Sequence, residues 1–459
     1  MNTQKIMPIN NPDKSISYFL RPTTKAALII WGVLQICPIC FAADAADPGA
    51  WVKENMPKLV ELYRHLHQTP ELSLKEKETS ARMAKELQEL GIKVTSNIGG
   101  YGVVGVLENG PGKVLMLRSD LDGLPVVEQT RLPYASKVRT EDARGATVGV
   151  MHACGHDVHM TNLIGVARYL ASHRDVWSGT VLFVFQPAEE IGSGADAMIQ
   201  DGFFAKFPRP DFAVAFHDSA DIPTGEMNYR GGFVMANIDS VDIVIKGRGG
   251  HGASPEATID PIVIAAKLVL DLQTIVSREV KPTNAAVVTV GSIHAGTKHN
   301  IISDECRLQL TLRSLSPQVR EQLRDAVRRK ALAAAASAGA PEPTIEISEG
   351  TPALFNEPQL TERLTATLKK RFGDDKIKEG DPVMGGEDFG RFGSTGVPTC
   401  MFRLGAVNQK RLDEFTAKHT PPTSLHSPLY YPDIEETLTM GGPAMVACVT
   451  ELLPPKSKP

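Results

Sequence analysis

The chain has 459 residues, with 49 Lys plus Arg against 53 Asp plus Glu, a formal net charge of −4 and an apolar fraction of 42%. That composition belongs to a soluble globular protein, and the length exceeds what one hydrophobic core usually holds, so two domains are expected. With no basic excess, nucleic acid is excluded as the expected partner.

Residues 26–42, AALIIWGVLQICPICFA, form an apolar run broken by Pro38, preceded by Arg21 and Lys25 and followed by Ala-Asp-Ala-Ala-Asp. Basic flank, short apolar core and small residues describe a secretory signal over 1–42 with cleavage after Ala42. The apolar core is shorter than the ~20 residues a spanning helix needs, which disfavours a membrane anchor. Cys37 lacks the small residue that a lipoprotein signal places before its cysteine, so lipidation is disfavoured. The expected product is periplasmic or secreted, with no stable membrane insertion. Cys154, Cys306, Cys400 and Cys448 remain; their wide spacing resembles no stapled scaffold, although an oxidising compartment permits disulfides.

Helices are predicted over 48–68 and 75–90, the second ending at Gly91. Between them, His67 and Glu71 are candidates to support a site, with helix-end hydrogen bonding the more ordinary role. Short β runs at 103–107 and 113–118 follow, and the second delivers Asp120 and Asp122, where open α/β sheets put ligands. Either carboxylate could bind metal or hold a ligand histidine; an Asx turn before Gly123 competes. In Gly149–Met160, three histidines, Cys154 and Asp157 lie within eight positions. Cys154 and His156, read as i and i+2 of an extended segment, suit a zinc-like ion.

A helix over 158–172 and a buried strand, Val181–Phe185, lead to Gln186-Pro-Ala-Glu-Glu, where adjacent glutamates point different ways. Strand 212–216 then hands over His217. Near residue 236 the register changes: strand 239–247, helix 261–277, strands 286–294 and 303–313, helix 317–337 and strand 344–350 follow the ferredoxin-like β-α-β-β-α-β order. This insert is followed by helix 358–372, strand 398–403 and helix 433–452. Within it, His251 sits on a glycine-flanked loop, while Asn300 and Arg313 supply an amide and a guanidinium suited to a carboxylate. Met384-Gly-Gly-Glu-Asp-Phe-Gly and Leu425-His-Ser-Pro are the last polar breaks, and His426 is a candidate final ligand.

Taken together, the motifs from Arg64 to about Glu436 resemble the amidohydrolase branch of the aminoacylase and zinc-carboxypeptidase family: hippurate hydrolases, N-acyl-amino-acid amidohydrolases and auxin-conjugate hydrolases. The resemblance implies an α/β fold: a zinc-exopeptidase-like catalytic domain, mixed sheet flanked by helices, over 47–235 and 351–455, with an inserted ferredoxin-like α+β satellite domain over 236–350. It implies two divalent ions (Zn, Mn or Co) held by Cys154, His156, Glu190, His217 and His426, with Cys154 as bridge. Glu189 matches the general base and Asp122 the aspartate that orients a ligand. His251 resembles a satellite histidine that polarises the scissile carbonyl, often across a homodimer, and Asn300 and Arg313 resemble holders of the substrate carboxylate. The activity implied is cleavage of N-acyl amino acids by metal-activated water; a dipeptidase or carboxypeptidase of the same family is the alternative, and a non-catalytic binding protein a third. The insert's free sheet edge or helix face is the expected dimer surface. Two departures stand out. His217 is followed by Asp218-Ser-Ala-Asp221 where an apolar or aromatic pair is usual, so two carboxylates are expected beside the site, repelling an anionic substrate or favouring a cationic one. Gly-Gly-Glu-Asp at 385–388 replaces Gly-Ser-Glu-Asp, with little consequence expected.

Overall fold

Alternation along the apolar strands organises the larger part of the molecule. In β3 (Val114–Asp120) and β4 (Gly179–Gln186), Leu115, Leu117, Val181, Phe183 and Phe185 enter one hydrophobic cluster, while Met116, Leu182 and Val184 enter another. Successive residues of a strand point to opposite faces, so these strands are covered on both sides, as their unbroken apolar runs require. The computed structural model describes residues 47–456. The expected signal over 1–42, its expected cleavage site and Cys37 lie outside the described residues.

The eight-stranded sheet has the order β1 (Lys93–Ile98), β2 (Gly102–Asn109), β4, β3, β5 (Phe212–Pro223), β12 (Thr399–Val407), β6 (Met227–Tyr229), β11 (Ile377–Glu379). Its centre, β4-β3-β5-β12, is parallel; β1, β2 and β6 pair antiparallel at the flanks. Helices α1 (Pro48–Gln68), α2 (Lys77–Gln88), α3 (His156–Ser172), α6 (Pro358–Phe372) and α7 (Ile434–Leu452) supply side chains to the first cluster. Short helical turns bearing Met198, Phe203 and Phe392 close the other.

Strand β5 runs to Pro223, past the predicted end at 216, because β12 pairs with it through His217, Asp218 and Ser219. Gly405 permits this: a Cβ there would lie 1.9 Å from the Pro223 carbonyl oxygen. His217 therefore stands within a paired strand, not after one.

A second sheet spans β7 (Asn237–Lys246), β8 (Ala286–Ala295), β9 (Glu305–Ser314) and β10 (Thr344–Glu349) in the order β8-β9-β7-β10, antiparallel throughout. One face carries α4 (Pro261–Thr274) and α5 (Pro317–Ser337), packed on Val241, Ile243, Ile245, Leu308 and Leu310. Asp260 and Ser316 cap the two helices by accepting from Ile262 N and Val319 N. Among the described residues, Cys154, Cys306, Cys400 and Cys448 are buried free thiols, and no described helix is long and apolar enough to cross a membrane.

Candidate metal centre

The polar residues gather where β3, β4 and β5 approach the start of α3. Cys154 and His156 do not lie on an extended segment: Gly155 between them has φ +73° and caps α3, which begins at His156. Only glycine fits, since a Cβ would fall 2.1 Å from Asp218 Oδ2. The turn, rather than strand alternation, brings the two side chains together.

Around the Cys154 Sγ atom, His426 Nε2 lies at 3.3 Å and His217 Nε2 at 3.7 Å. His426 Nε2 is 3.5 Å from Glu190 Oε2, and His156 Nε2 is 3.8 Å from Glu190 Oε1 and 3.9 Å from Glu189 Oε2. Two overlapping triads result, Cys154–His156–His217 and Cys154–Glu190–His426, each with ligand atoms within 4.8 Å of one another. Residues separated by up to 272 positions thus converge. His426 N–H donates to Ala153 O at 2.8 Å, which fixes the last histidine beside the cysteine. His217 Nδ1 is bonded to the Asp218 carbonyl at 2.8 Å, so Nε2 is the free nitrogen facing the cluster.

The donor set suits a divalent transition metal. Both nitrogens of His156 and Glu190 Oε1 are buried without a hydrogen-bond partner, a costly condition that coordination removes. Burial and the charge of Glu190 push the Cys154 thiol well up. Burial, with Glu387, Asp388 and Glu190 nearby, also holds Glu189 well above the usual carboxylate range, and burial raises Glu190 to about 7 despite His156. Such crowding of potential anions is what a bound cation relieves.

Asp122 holds this group from behind. It lies 3.5 Å from His156 Nδ1, accepts from the Ser73 hydroxyl at 2.6 Å, and takes the backbone N–H groups of Glu189 and Glu190 at 3.1 and 3.0 Å. Asp120 borders the same group, its Oδ2 3.7 Å from His156 Nε2, and links it to a further network by accepting from Arg118 Nη1 at 2.8 Å and bonding His159 Nδ1 at 2.7 Å. His159 Nε2 faces Asp218 Oδ1 at 3.1 Å, and the Tyr430 hydroxyl donates to Asp218 Oδ2. Burial opposes protonation of His159, yet Asp120 and Asp218 prevail and raise its pKa to about 9.

The two carboxylates expected beside the site are both committed to partners within the protein. Asp218 is fully buried and ties β5 to α3 and to the segment after His426, while exposed Asp221 pairs with Arg403 at 2.8 Å. The Glu-Asp half of the Gly-Gly-Glu-Asp motif has a structural part to play. Arg118, buried in β3, donates to Glu387 Oε1 at 2.9 Å, Asp388 Oδ1 at 3.1 Å and Gln186 Oε1 at 3.0 Å, joining the motif to the floor of the site. An arginine inside the apolar run Val-Leu-Met-Leu-Arg was the signal for this network.

His67 leaves the helix-end role to Glu71, whose carboxylate accepts from Glu78 N and Thr79 N at the start of α2. The imidazole lies buried between Asp157 (2.6 Å) and Glu128 (3.1 Å), and although burial acts to lower it, these carboxylates raise its pKa to about 9. Because the folded value exceeds the unfolded one, near 6.5, this stabilisation is complete below pH 6.5 and disappears as pH rises through 9. It is worth on the order of 3 kcal/mol. Unfolding midpoints of the parent are expected to fall across that window and those of His67→Gln to fall less; parallel curves would contradict the assignment. His152 is also buried, but neither nitrogen has a partner, and burial lowers its pKa to about 4.

The remaining candidates lie with the second sheet. His251 is exposed on a two-residue strand paired with Ile301, and its Nδ1 accepts from Ala253 N at 3.0 Å. The Asn300 carbonyl accepts from Gly252 N, and Arg313 Nη1 donates to Met384 O at 2.8 Å. Among the described residues no hydrogen bond joins His251 or Asn300 to the cluster around Cys154.

A parallel-centred sheet carrying a Cys/His/Glu cluster, buried except at His426, with an adjacent glutamate fits a metal-dependent hydrolase acting on amide bonds. The chain belongs to peptidase family M20/M25/M40, whose model matches residues 116–426. It is 37% identical over 364 residues to thermostable carboxypeptidase 2 of Saccharolobus solfataricus, covering 78% of this chain and 88% of that protein. It is 39% identical over 335 residues to hippurate hydrolase of Campylobacter jejuni, covering 72% and 84%. Among solved structures, the Bacillus subtilis YXEP protein, described as a dinuclear metal binding peptidase, superposes with a TM-score of 0.72 at 30% identity, covering 87% of this chain and 99% of that one. These likenesses agree with the amidohydrolase branch expected from the motifs.

Proposed function

We propose that the chain is an exported, two-metal amidohydrolase that cleaves N-acyl amino acids or related small conjugates. The observation carrying this reading is the convergence of Cys154, His156, Glu190, His217 and His426, with the Glu189 carboxylate at its edge. In this reading the five would hold the ions, with Cys154 as the shared ligand, and Asp122 would orient His156. When bound, such ions lower the pKa of water from 15.7 to about 7 and polarise the amide carbonyl. Glu189 takes the water's proton and passes it to the leaving nitrogen. Similarity to a hippurate hydrolase favours acyl amino acids as substrates; similarity to a carboxypeptidase keeps a peptidase as the second reading.

The test is removal of metal by chelation and return of zinc, manganese or cobalt, with acetyl-, benzoyl- and indoleacetyl-amino acids and dipeptides as substrates. Hydrolysis is expected to vanish and return with two ions per chain. Activity that survives chelation rejects the mechanism, one ion per chain rejects the bridge, and preference for dipeptides selects the second reading. Export is tested by the amino terminus of protein recovered outside the cytoplasm, expected at Ala43; an uncleaved chain retained in the cytoplasm rejects it.

The same reading includes a homodimer formed through the second sheet, with His251 acting on the partner's substrate and Asn300 and Arg313 binding its carboxylate. Support comes from the edge position of β8 and from exposed Val263 (51%), Leu270 (73%) and Ile293 (48%) on α4 and β8. Leu270→Asp is expected to shift a dimer toward monomer in size-exclusion chromatography and to lower activity with it. A parent that elutes as monomer at every concentration removes both the dimer and the role of His251 in trans.

A further inference from the structure

Three consecutive amides leading into the glutamate pair are held by carboxylates from other parts of the chain. Ala188 N–H donates to Glu76 Oε1 at 2.8 Å, Glu189 N–H to Asp122 Oδ1 at 3.1 Å and Glu190 N–H to Asp122 Oδ2 at 3.0 Å. Ala188 has φ +51°, a left-handed conformation that a residue with a Cβ adopts only at a cost. Its carbonyl accepts from Ser193 N and Gly194 N, so the turn is gripped on both sides of one strained residue.

Glu76 occupies an unusual place for such a contact. It is the N-cap residue of α2, yet its side chain makes no capping bond, and Glu71 serves the first turn of that helix instead. The carboxylate is fully buried, spends one oxygen on Ala188 and leaves Oε2 without a partner. Helix capping does not explain a buried, half-satisfied carboxylate; support of the turn does.

We propose that Glu76 is a positioning residue for the glutamate pair: by holding Ala188 N–H it keeps the strained turn that aims Glu189 at the reacting centre. This rests on the reading of Glu189 as the base, and the experiment separates the two. In the full chain loaded with the metal that supports hydrolysis, Glu76→Ala is expected to lose roughly 10- to 100-fold in kcat, the scale of a hydrogen bond to a charged group. Bound metal is expected to stay unchanged and KM within about threefold, since only the aim of one side chain is altered. Glu76→Gln, whose amide oxygen still accepts from Ala188, is expected to restore most of that loss. Adding Ala188→Gly to Glu76→Ala is expected to recover much of kcat, because glycine takes the left-handed conformation freely.

Hydrogen exchange provides a readout independent of substrate: amides of 186–192 are expected to exchange about tenfold faster in Glu76→Ala than in the parent, as a lost hydrogen bond permits local opening. If the parent hydrolyses nothing, the reading of Glu189 falls while exchange still decides the support. Unchanged exchange, an unchanged kcat in Glu76→Ala, or a joint fall of kcat, metal content and substrate affinity that neither Gln nor Gly reverses overturns the proposal. Should Glu76→Ala not fold, Glu76→Asp, which retracts the same carboxylate by one methylene, is expected to lose about tenfold in kcat; parental kcat in that variant overturns it.

Discussion

Glu189→Gln is expected to lower kcat by about 10²–10⁴-fold, the range for loss of a positioned general base, while bound metal and KM change little. The substitution conserves volume and leaves the backbone untouched, because Glu189 is fixed through its N–H by Asp122 rather than through its carboxylate. What is lost is an oxygen able to take and return a proton, beside His156 and Glu190 in a buried pocket. A Gln variant within tenfold of the parent, with full metal content, would place the base elsewhere.

Arg118→Ala is expected to produce the largest loss of stability, about 3–5 kcal/mol, because it strands buried carboxylates without removing them. Arg118 is the shared partner of Asp120, Glu387 and Asp388, all with fully buried side chains. Asp388, which burial already raises to about 7 with Arg118 in place, is pushed further up once the guanidinium is gone and escapes the cost of unpaired buried charge by taking up a proton. The variant's deficit is therefore expected to shrink as pH falls from 8 to 5, whereas a deficit from lost packing stays constant. Denaturant midpoints of parent and variant at both pH values provide the measurement. A loss under about 1 kcal/mol would mean that the carboxylates find other partners. Arg118→Lys, which keeps the charge but not the forked geometry, should fall between the two.

Asp218 shows where reading a sequence by proximity misleads. A carboxylate next to a candidate ligand reads as part of the substrate's surroundings, but β5 continues through it and turns it toward His159 and Tyr430. Strand residues alternate in direction, so one position decides between the pocket and the interior. The role of the Gly-Gly-Glu-Asp motif was hidden for a related reason. Its value comes from Arg118, 269 residues earlier for Glu387, and no local pattern announces a pairing at that distance.

The sequence by itself determined most of the central strands, the order of the inserted β-α-β-β-α-β unit and the residue types that gather at the centre, because hydrophobic periodicity and short motifs are local properties. Pairing across the fold decided the rest: that Gly155 turns Cys154 and His156 together, that His426 arrives beside them, that Asp122 and Glu76 grip the glutamate turn, and that Arg118 neutralises its floor. Such arrangements depend on which distant buried charges and amides satisfy one another, and only the folded chain brings those partners within hydrogen-bonding range.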